Sequence, residues 1–309
     1  MKTDSAPALR VSVVIMTFNR PVTLHRCLES LIIQSLDIGS FEVVLVDVSK
    51  EPVTRVVRAF RDKMNIRHFY TENKGPAGNR NFGAGKARTG LLAYIDDDCV
   101  AEPSWLEKLL GSAEANPGCL IGGGVRNLYP DNAVACAGQV ITEAVDACFN
   151  ATPGAPVFFP GLNFAVPRDA YLSIGGCDEA FGRLAAEDRD FSDRWIHSGR
   201  QQVQVADAIV IHEHRKDLMG FIRQYFNYGK GAWRYHSLRR IRESGAFSES
   251  LELHKGLWRF TREPMRDVPA GLRTRVRLLL LTWELSNAAG FAWQACAESA
   301  SRLFKLREQ

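Results

Sequence analysis

The sequence contains no CxxC pair and no tight cluster of cysteine with histidine, and its seven cysteines are an odd number scattered from position 27 to 296. That pattern excludes a structural zinc module and a disulfide framework, and it fits a reducing compartment. An uninterrupted apolar run of membrane-spanning length is also missing. The longest candidate, Leu278 to Ala297, is broken by Glu284 and Asn287, which makes it marginal as a span. The opening MKTDSAPALR has no apolar core, so no secretory leader is expected from it. Internal repeats and low-complexity tracts are absent as well. What remains is an ordinary globular composition, 46% hydrophobic and 24% charged over 309 residues, enough for one large domain or two modest ones.

The net charge of +4 is small but unevenly spread. Residues 215–309 carry 18 Lys and Arg against 9 Asp and Glu, whereas the rest of the chain carries 21 against 26. A basic C-terminal third on an acidic body suits an anionic partner such as a phospholipid headgroup; a solvated helical face is the plainer alternative. The segment 272–304 reads either as an interfacial amphipathic helix or as a helix packed on the protein or on a dimer mate. No nucleic-acid partner is expected.

Four strand-like runs, VSVVIM (11–16), FEVVLVD (41–47), IRHFY (66–70) and LLAYI (91–95), alternate with helices expected over about 21–34, 52–63, 76–88 and 103–115. This alternation indicates βαβ units and an α/β fold around a mostly parallel sheet buried on both faces. Ligands of such sheets bind at the carboxyl ends of the strands. There the chain places Thr17-Phe18-Asn19-Arg20, then Asp47, then Asp96-Asp97-Asp98. From about Gly122 to Pro160 the pattern loosens into what reads as an irregular region with short strands. Order returns with GLNFAVP (161–167), a helix over 168–174, and a helix opening at Glu187-Asp188, where carboxylates suit the helix dipole. Two short strands are expected within 202–214, and helices over about 217–237, 249–262 and 272–306.

Three adjacent aspartates repel one another unless a cation sits beside them. Carboxylates one residue apart can both reach Mg2+ or Mn2+, which keeps coordination positions open for phosphate oxygens. Two chemistries fit. The metal could clamp a leaving diphosphate. Alternatively, IDDDCV is a phosphatase signature with Asp96 as nucleophile and Asp98 as acid, although that motif normally occupies the first strand of its fold and here follows the fourth.

The segments SVVIMTFNRP (12–21), VDVSK (46–50), ENKGPAGNRNFGAGK (72–86), the acidic turn, GLNFAVPRDAYLSIGGCDEAF (161–181), AEDRDF and HEH occur in an order that resembles the family 2 glycosyltransferases of the GT-A fold. The resemblance covers roughly residues 11–236. It implies a GT-A domain over 1–215, with a nucleotide-binding half to about residue 100 and an acceptor half from 101. A helical C-terminal region over 216–309 follows, associated with a membrane or a dimer mate.

The implied activity is an inverting, metal-dependent transfer of a sugar from a nucleoside diphosphate sugar to a hydroxyl acceptor, saccharide or lipid-linked, in polysaccharide biosynthesis. The expected location is cytoplasmic, free or peripheral on the inner face of the membrane. By the same resemblance Thr17, Asn19, Arg20 and Asp47 hold base and ribose, and Arg80 lies near the base or diphosphate. The family's D-D-G-S is replaced here by Asp47-Val48-Ser49-Lys50, which leaves the base unassigned. Asp96 and Asp98 with His212 hold Mn2+ or Mg2+, His214 being the alternative ligand; Asp97 touches the ribose and is expected to matter least. Asp188, beside Glu187, is the general base, because the attacking hydroxyl must lose its proton, while the metal takes up leaving-group charge. Phe159, Gly161 and Asn163 shape the acceptor pocket, and Asp190 points elsewhere, toward an arginine. A non-catalytic nucleotide-sugar-binding protein is the remaining alternative.

Overall fold

A computed structural model of the chain describes residues 8–152, 154–244 and 247–307, so most of the decapeptide read above for a leader lies outside the described residues. Eight strands form one sheet: β1 (Val11–Thr17), β2 (Phe41–Asp47), β3 (Ile66–Tyr70), β4 (Leu91–Ile95), β5 (Cys99–Ala101), β6 (Leu120–Asn127), β7 (Asn163–Pro167) and β8 (Gln202–His212). They lie in the order β3-β2-β1-β4-β7-β6-β8-β5. The first four are parallel, as the alternation predicts. Beyond β4 the sheet turns mixed, with β7 antiparallel to β4 and β6, β6 parallel to β8, and β5 antiparallel to β8.

The helices are α1 (Pro21–Ile32), α2 (Thr54–Arg58), α3 (Gly75–Lys86), α4 (Trp105–Ala115), α5 (Ala133–Phe149), α6 (Arg168–Ser173), α7 (Glu187–His197), α8 (Leu218–Arg242), α9 (Phe247–Lys255), α10 (Leu257–Phe260), α11 (Pro264–Asp267) and α12 (Arg273–Arg307). Because strand side chains alternate between faces, Val13 and Ile15 pack on one side with Leu24, Leu28 and Trp105. Val14 packs on the other side with Tyr171, Phe191 and Trp195. Burial on both faces is why β1 and β2 are almost wholly apolar, and why the polar residues inside them, Ser12 and Glu42, are hydrogen-bonded to each other at 2.7 Å.

Three expectations need correction. The helix expected over 52–63 is only α2, followed by turns. The stretch from Gly122 to Pro160 is not irregular: it opens with β6 and continues into the 17-residue α5, capped by Asn132, whose side chain accepts from the N–H groups of Val134 and Ala135. The glycines that disguised β6 are there because its neighbours press close. A Cβ at Gly122 would enter the Phe159 ring, and one at Gly123 would meet the Asn163 amide and the Ala208 carbonyl. The segment 202–214 is one strand, not two; the irregularity lies in its pairing, between Gly123 and Gly124 of β6.

The C-terminal helices build a third core with α5, in which Val140, Phe221, Leu257, Leu280 and Trp283 meet. No helix among the described residues is long and apolar enough to cross a membrane. In α8 the sequence Gly229-Lys230-Gly231 sets two close approaches. A Cβ at Gly229 would fall on the Asn287 carbonyl of α12, and one at Gly231 on the Ala185 carbonyl just before α7. α8 is thereby held between α12 and the segment that leads into Glu187-Asp188.

Candidate active site

Strand order reverses between β1 and β4, since β1 continues outward to β2 and β3 whereas β4 continues to β7. In parallel sheets the crevice at such a switch point receives the ligand. A cavity of about 1540 Å³ opens there, lined by Thr17, Phe18 and Arg20 after β1 and by Asp96, Asp97 and Asp98 after β4. Arg80, Gly161, Glu187, Asp188 and His212 also reach it, and on the far side so do Tyr228, Glu284 and Asn287 of α8 and α12.

The three aspartates have different partners. Asp97 is buried; it accepts from Thr17 Oγ1 at 2.7 Å and from Arg20 Nη1 at 3.0 Å. Burial, with Asp98 adding to it, holds its carboxyl up to about 7. Asp97 therefore ties the acidic turn to the end of β1, a role at odds with the expectation that it matters least. Asp98 accepts from the same Arg20 Nη1 at 2.6 Å through Oδ2. Asp96 is the most open of the three and faces Arg80, whose Nη2 lies 3.8 Å from Oδ1. Burial raises the Asp96 pKa, with Arg80 opposing that rise.

His212 reaches Asp98 through strand register. β5 follows the acidic turn immediately and pairs with β8 so that Cys99 lies opposite His212. The Glu213 N–H then donates to the Asp98 carbonyl at 2.9 Å. This leaves His212 Nε2 3.6 Å from Asp98 Oδ1. Asp98 Oδ1 and His212 Nδ1 are both buried without a hydrogen-bond partner among the described residues. Orphaned acceptors of this kind ask for a cation or a donor, and a carboxylate oxygen beside an imidazole nitrogen suits Mn2+ or Mg2+. Cys99 contributes a third potential ligand atom to the same group, all within 4.8 Å. Its thiol belongs to the core, however, and burial pushes its pKa well up, so the hard-cation set reduces to Asp98 and His212. His214 is directed elsewhere: it is buried against α5, with Nε2 3.0 Å from Gln139 Oε1.

Across the cavity, α7 begins after Ala186, a non-glycine residue at φ 75°, a strained conformation of the kind found at functional sites. Glu187 is buried and ion-paired with Arg80. Burial raises its carboxyl to about 7 although Arg80 pulls the other way. Arg80 thus bridges Glu187 and Asp96. Asp188 is the freer carboxylate, accepting at 2.8 Å from the Gly161 N–H through Oδ2 and from the Arg189 N–H through Oδ1. Asp190 is fully buried and pairs with Arg194 and Arg242, as expected of a residue pointing away.

Four residues singled out from the sequence do not line the cavity. Asp47 is fully buried, accepting from the N–H groups of Ser49 and Val53 and lying 2.9 Å from His68 Nε2, so it shapes the loop after β2. Asn19 joins the first two loops: its N–H donates to Ser49 Oγ and its Oδ1 accepts from the Lys50 N–H. Phe159 fills the space beside Gly122. Asn163 lies inside the sheet, donating to the Gly124 and Ala208 carbonyls and accepting from Trp105 Nε1. Of the residues expected at the acceptor pocket only Gly161 reaches it.

Sequence reasoning missed the helical wall. Tyr228 lines the cavity with 44% of its surface open. Glu284 pairs with His254 at 2.7 Å. The signal was present: two polar residues interrupting an apolar helix, and two glycines one residue apart inside another.

Residues 12–134 match the sequence profile of glycosyl transferase family 2. Over 222 residues the chain is 32% identical to validoxylamine A glucosyltransferase from Streptomyces hygroscopicus subsp. jinggangensis, covering 62% of this chain and 52% of that one. Over 299 residues it is 24% identical to glycosyltransferase AglE of Haloferax volcanii, covering 91% and 94%. A mannosyltransferase from Pyrobaculum calidifontis, solved in complex with GDP-Man and Mn2+, shares the fold with a TM-score of 0.58 at 19% identity, covering 98% of this chain and 83% of that one. The chain spans about half the length of the glucosyl- and glucuronosyltransferases it matches.

Proposed function

The chain belongs to glycosyl transferase family 2 and has a GT-A fold, and we propose that it is an inverting, metal-dependent transferase moving a sugar from a nucleoside diphosphate sugar to an acceptor hydroxyl. One observation carries the reading: Asp98 Oδ1, without a hydrogen-bond partner among the described residues and 3.6 Å from His212 Nε2, and the Asp188 carboxylate belong to residues that line the same cavity. The first suits the diphosphate side of the reaction and the second the acceptor side.

Asp188 takes the proton of the acceptor hydroxyl while that oxygen bonds to the anomeric carbon and the bond from that carbon to the diphosphate oxygen breaks, with inversion. The Gly161 and Arg189 N–H groups hold the carboxylate for this task, each leaving its oxygen a further lone pair. When bound at Asp98 and His212, Mn2+ or Mg2+ supplies Lewis-acid neutralisation of the leaving diphosphate. Arg20, Thr17 and Asp97 fix the acidic turn, and Asp96 with Arg80 presents the surface that the diphosphate and ribose meet. Asn19 and Asp47 act from behind, by shaping the loops that receive the nucleotide. Residues 1–215 form the transferase unit and 216–309 its acceptor-side wall, with a saccharide or a lipid-linked sugar as acceptor. All seven cysteines are free thiols, which supports a reducing, cytoplasmic setting.

The test is a thermal-shift screen of UDP-, GDP-, dTDP- and CDP-sugars with Mn2+ and with EDTA. A ligand that binds the native state raises the melting temperature, so one donor should give a metal-dependent rise. The absence of such a rise with all four would overturn the reading. Release of phosphate from simple phosphomonoesters would replace it with hydrolysis at Asp96, and a donor bound but never consumed would leave a binding protein.

A further inference from the structure

Beyond the cavity, the outer face of α12 stands apart from the rest of the surface. Leu278, Leu281, Leu285, Ala289 and Ala292 are all exposed, and their spacing of three and four residues puts them on one stripe about 21 Å long. Leu278 is 61% open, Leu281 46% and Leu285 73%. The opposite face, with Val276, Leu280 and Trp283, is buried against the body of the protein. Single exposed leucines are common, but a contiguous apolar stripe indicates an interaction surface. No charged residue interrupts it.

Its borders narrow the choice of occupant. Arg277 shares the stripe's face at its N-terminal end, and Arg275 lies on its flank. Both are exposed, and neither has a carboxylate partner among the described residues. Trp293, 64% exposed, lies on the same flank as Arg275. An apolar stripe edged by unpaired arginines and an amphipathic indole has the composition of a helix that lies in a lipid interface. Since no described helix can cross a bilayer, contact is at the surface.

We propose that the outer face of α12 rests on an anionic lipid surface, its leucines in the headgroup–acyl boundary and its arginines on the phosphates. This goes beyond the transfer reaction and does not depend on it.

The experiment is co-sedimentation of the full chain with vesicles of phosphatidylcholine alone and of phosphatidylcholine mixed with phosphatidylglycerol, with light scattering run in parallel. The chain should pellet with the mixed vesicles, stay in solution with the neutral ones, and be released by high salt. The L281E/L285E variant should lose pelleting while keeping its circular dichroism and melting temperature. The R275E/R277E variant should bind mixed vesicles at least about tenfold more weakly, which tests the same idea without touching the stripe. A wild-type chain that stays in solution with mixed vesicles would overturn the proposal, as would variants that still pellet. A dimer that L281E/L285E converts to monomer, with no vesicle binding, would assign the face to a second copy instead.

Discussion

The two walls of the cavity are built on different physical rules. At the sheet edge, charges are fixed by other charges and by backbone donors: Arg20 with Asp97 and Asp98, Arg80 with Glu187, and Asp188 with two N–H groups. The wall made by α8 and α12 is mostly neutral and aromatic there, with Tyr228 and Asn287 facing the cavity beside two charged side chains, Arg223 and Glu284, and it is held by close backbone approach at Gly229 and Gly231. The contrast suggests a division of labour in which the first wall does chemistry that needs charges in fixed places and the second supplies shape. Each prediction below tries to break that division.

The largest effect is expected from Asp188→Asn. Asparagine keeps an acceptor for the Gly161 N–H but cannot take a proton, so transfer should fall by about 10²–10⁴ with the melting temperature nearly unchanged. Tyr228→Phe, on the neutral wall, should cost less than about tenfold, and mainly in the acceptor KM. Steady-state kinetics on both variants checks the pair. Equal losses in kcat would remove the distinction between the walls, and full activity in Asp188→Asn would take that residue out of its role.

Next comes stability at the charged wall. Arg80 and Glu187 are both buried, so Arg80→Met leaves a carboxylate without its counter-charge and should cost about 3–5 kcal/mol in urea unfolding. Adding Glu187→Gln should recover much of that loss, because the buried charge is then gone. The exposed Arg266–Glu263 pair is the control, where Arg266→Ala should cost no more than about 1 kcal/mol. A double variant no better than Arg80→Met alone would mean that the guanidinium acts by packing and not by charge.

The same division decides what could be read without a structure. The parallel half of the sheet was legible because burial leaves runs rich in apolar and β-branched residues, most complete in the interior β1, β2 and β4 and weaker at the edge strand β3, and β2, β3 and β4 begin and end where those runs do. The charged wall was legible because its residues follow strand ends directly, as Asp96 to Asp98 and Arg20 do. Asp47, Phe159 and Asn163 also stand in recognisable motifs, yet they face inward; a motif records which residues are required, not which side of the chain they serve. β6 and the α8–α12 wall were obscure for different reasons. In β6, glycine is used where a ring and another backbone come close, and local propensity reads such a glycine as a loop; α8 and α12 were expected as helices, and what stayed hidden was that they meet over the cavity, which the sequence of either helix alone does not record.

Gly229→Ala and Gly231→Ala probe that packing directly. Each adds a methyl group against a backbone carbonyl, and overpacking of this kind costs about 1–3 kcal/mol. Their effects on turnover should differ. Gly231 presses on Ala185, directly before the strained Ala186 and the Glu187-Asp188 pair, so its variant should lose kcat as well as stability. Gly229 presses on α12, and its variant should lose stability with kcat largely kept. Identical kinetic profiles would show that α8 moves as one body and that the two contacts are not separate.

The smallest effect tests whether the charged wall extends behind the cavity, at Asp47. Burial alone would raise its pKa, but hydrogen bonds from His68, Val53 and Ser49 outweigh that and leave it lowered. A carboxyl with a lowered folded-state pKa adds stability that is complete above its unfolded value, about 3.9, and is lost as pH falls through the folded value. Unfolding free energy should therefore rise with pH across the acid range up to about 4–5, with Asp47 contributing to the slope. In Asp47→Asn that contribution should vanish, so the variant's deficit relative to wild type should be larger at neutral pH than at pH about 3. Urea titrations at several pH values measure it. A deficit independent of pH would mean that Asp47 serves through shape and hydrogen bonding alone, which would put it with the neutral wall despite its place on the charged one.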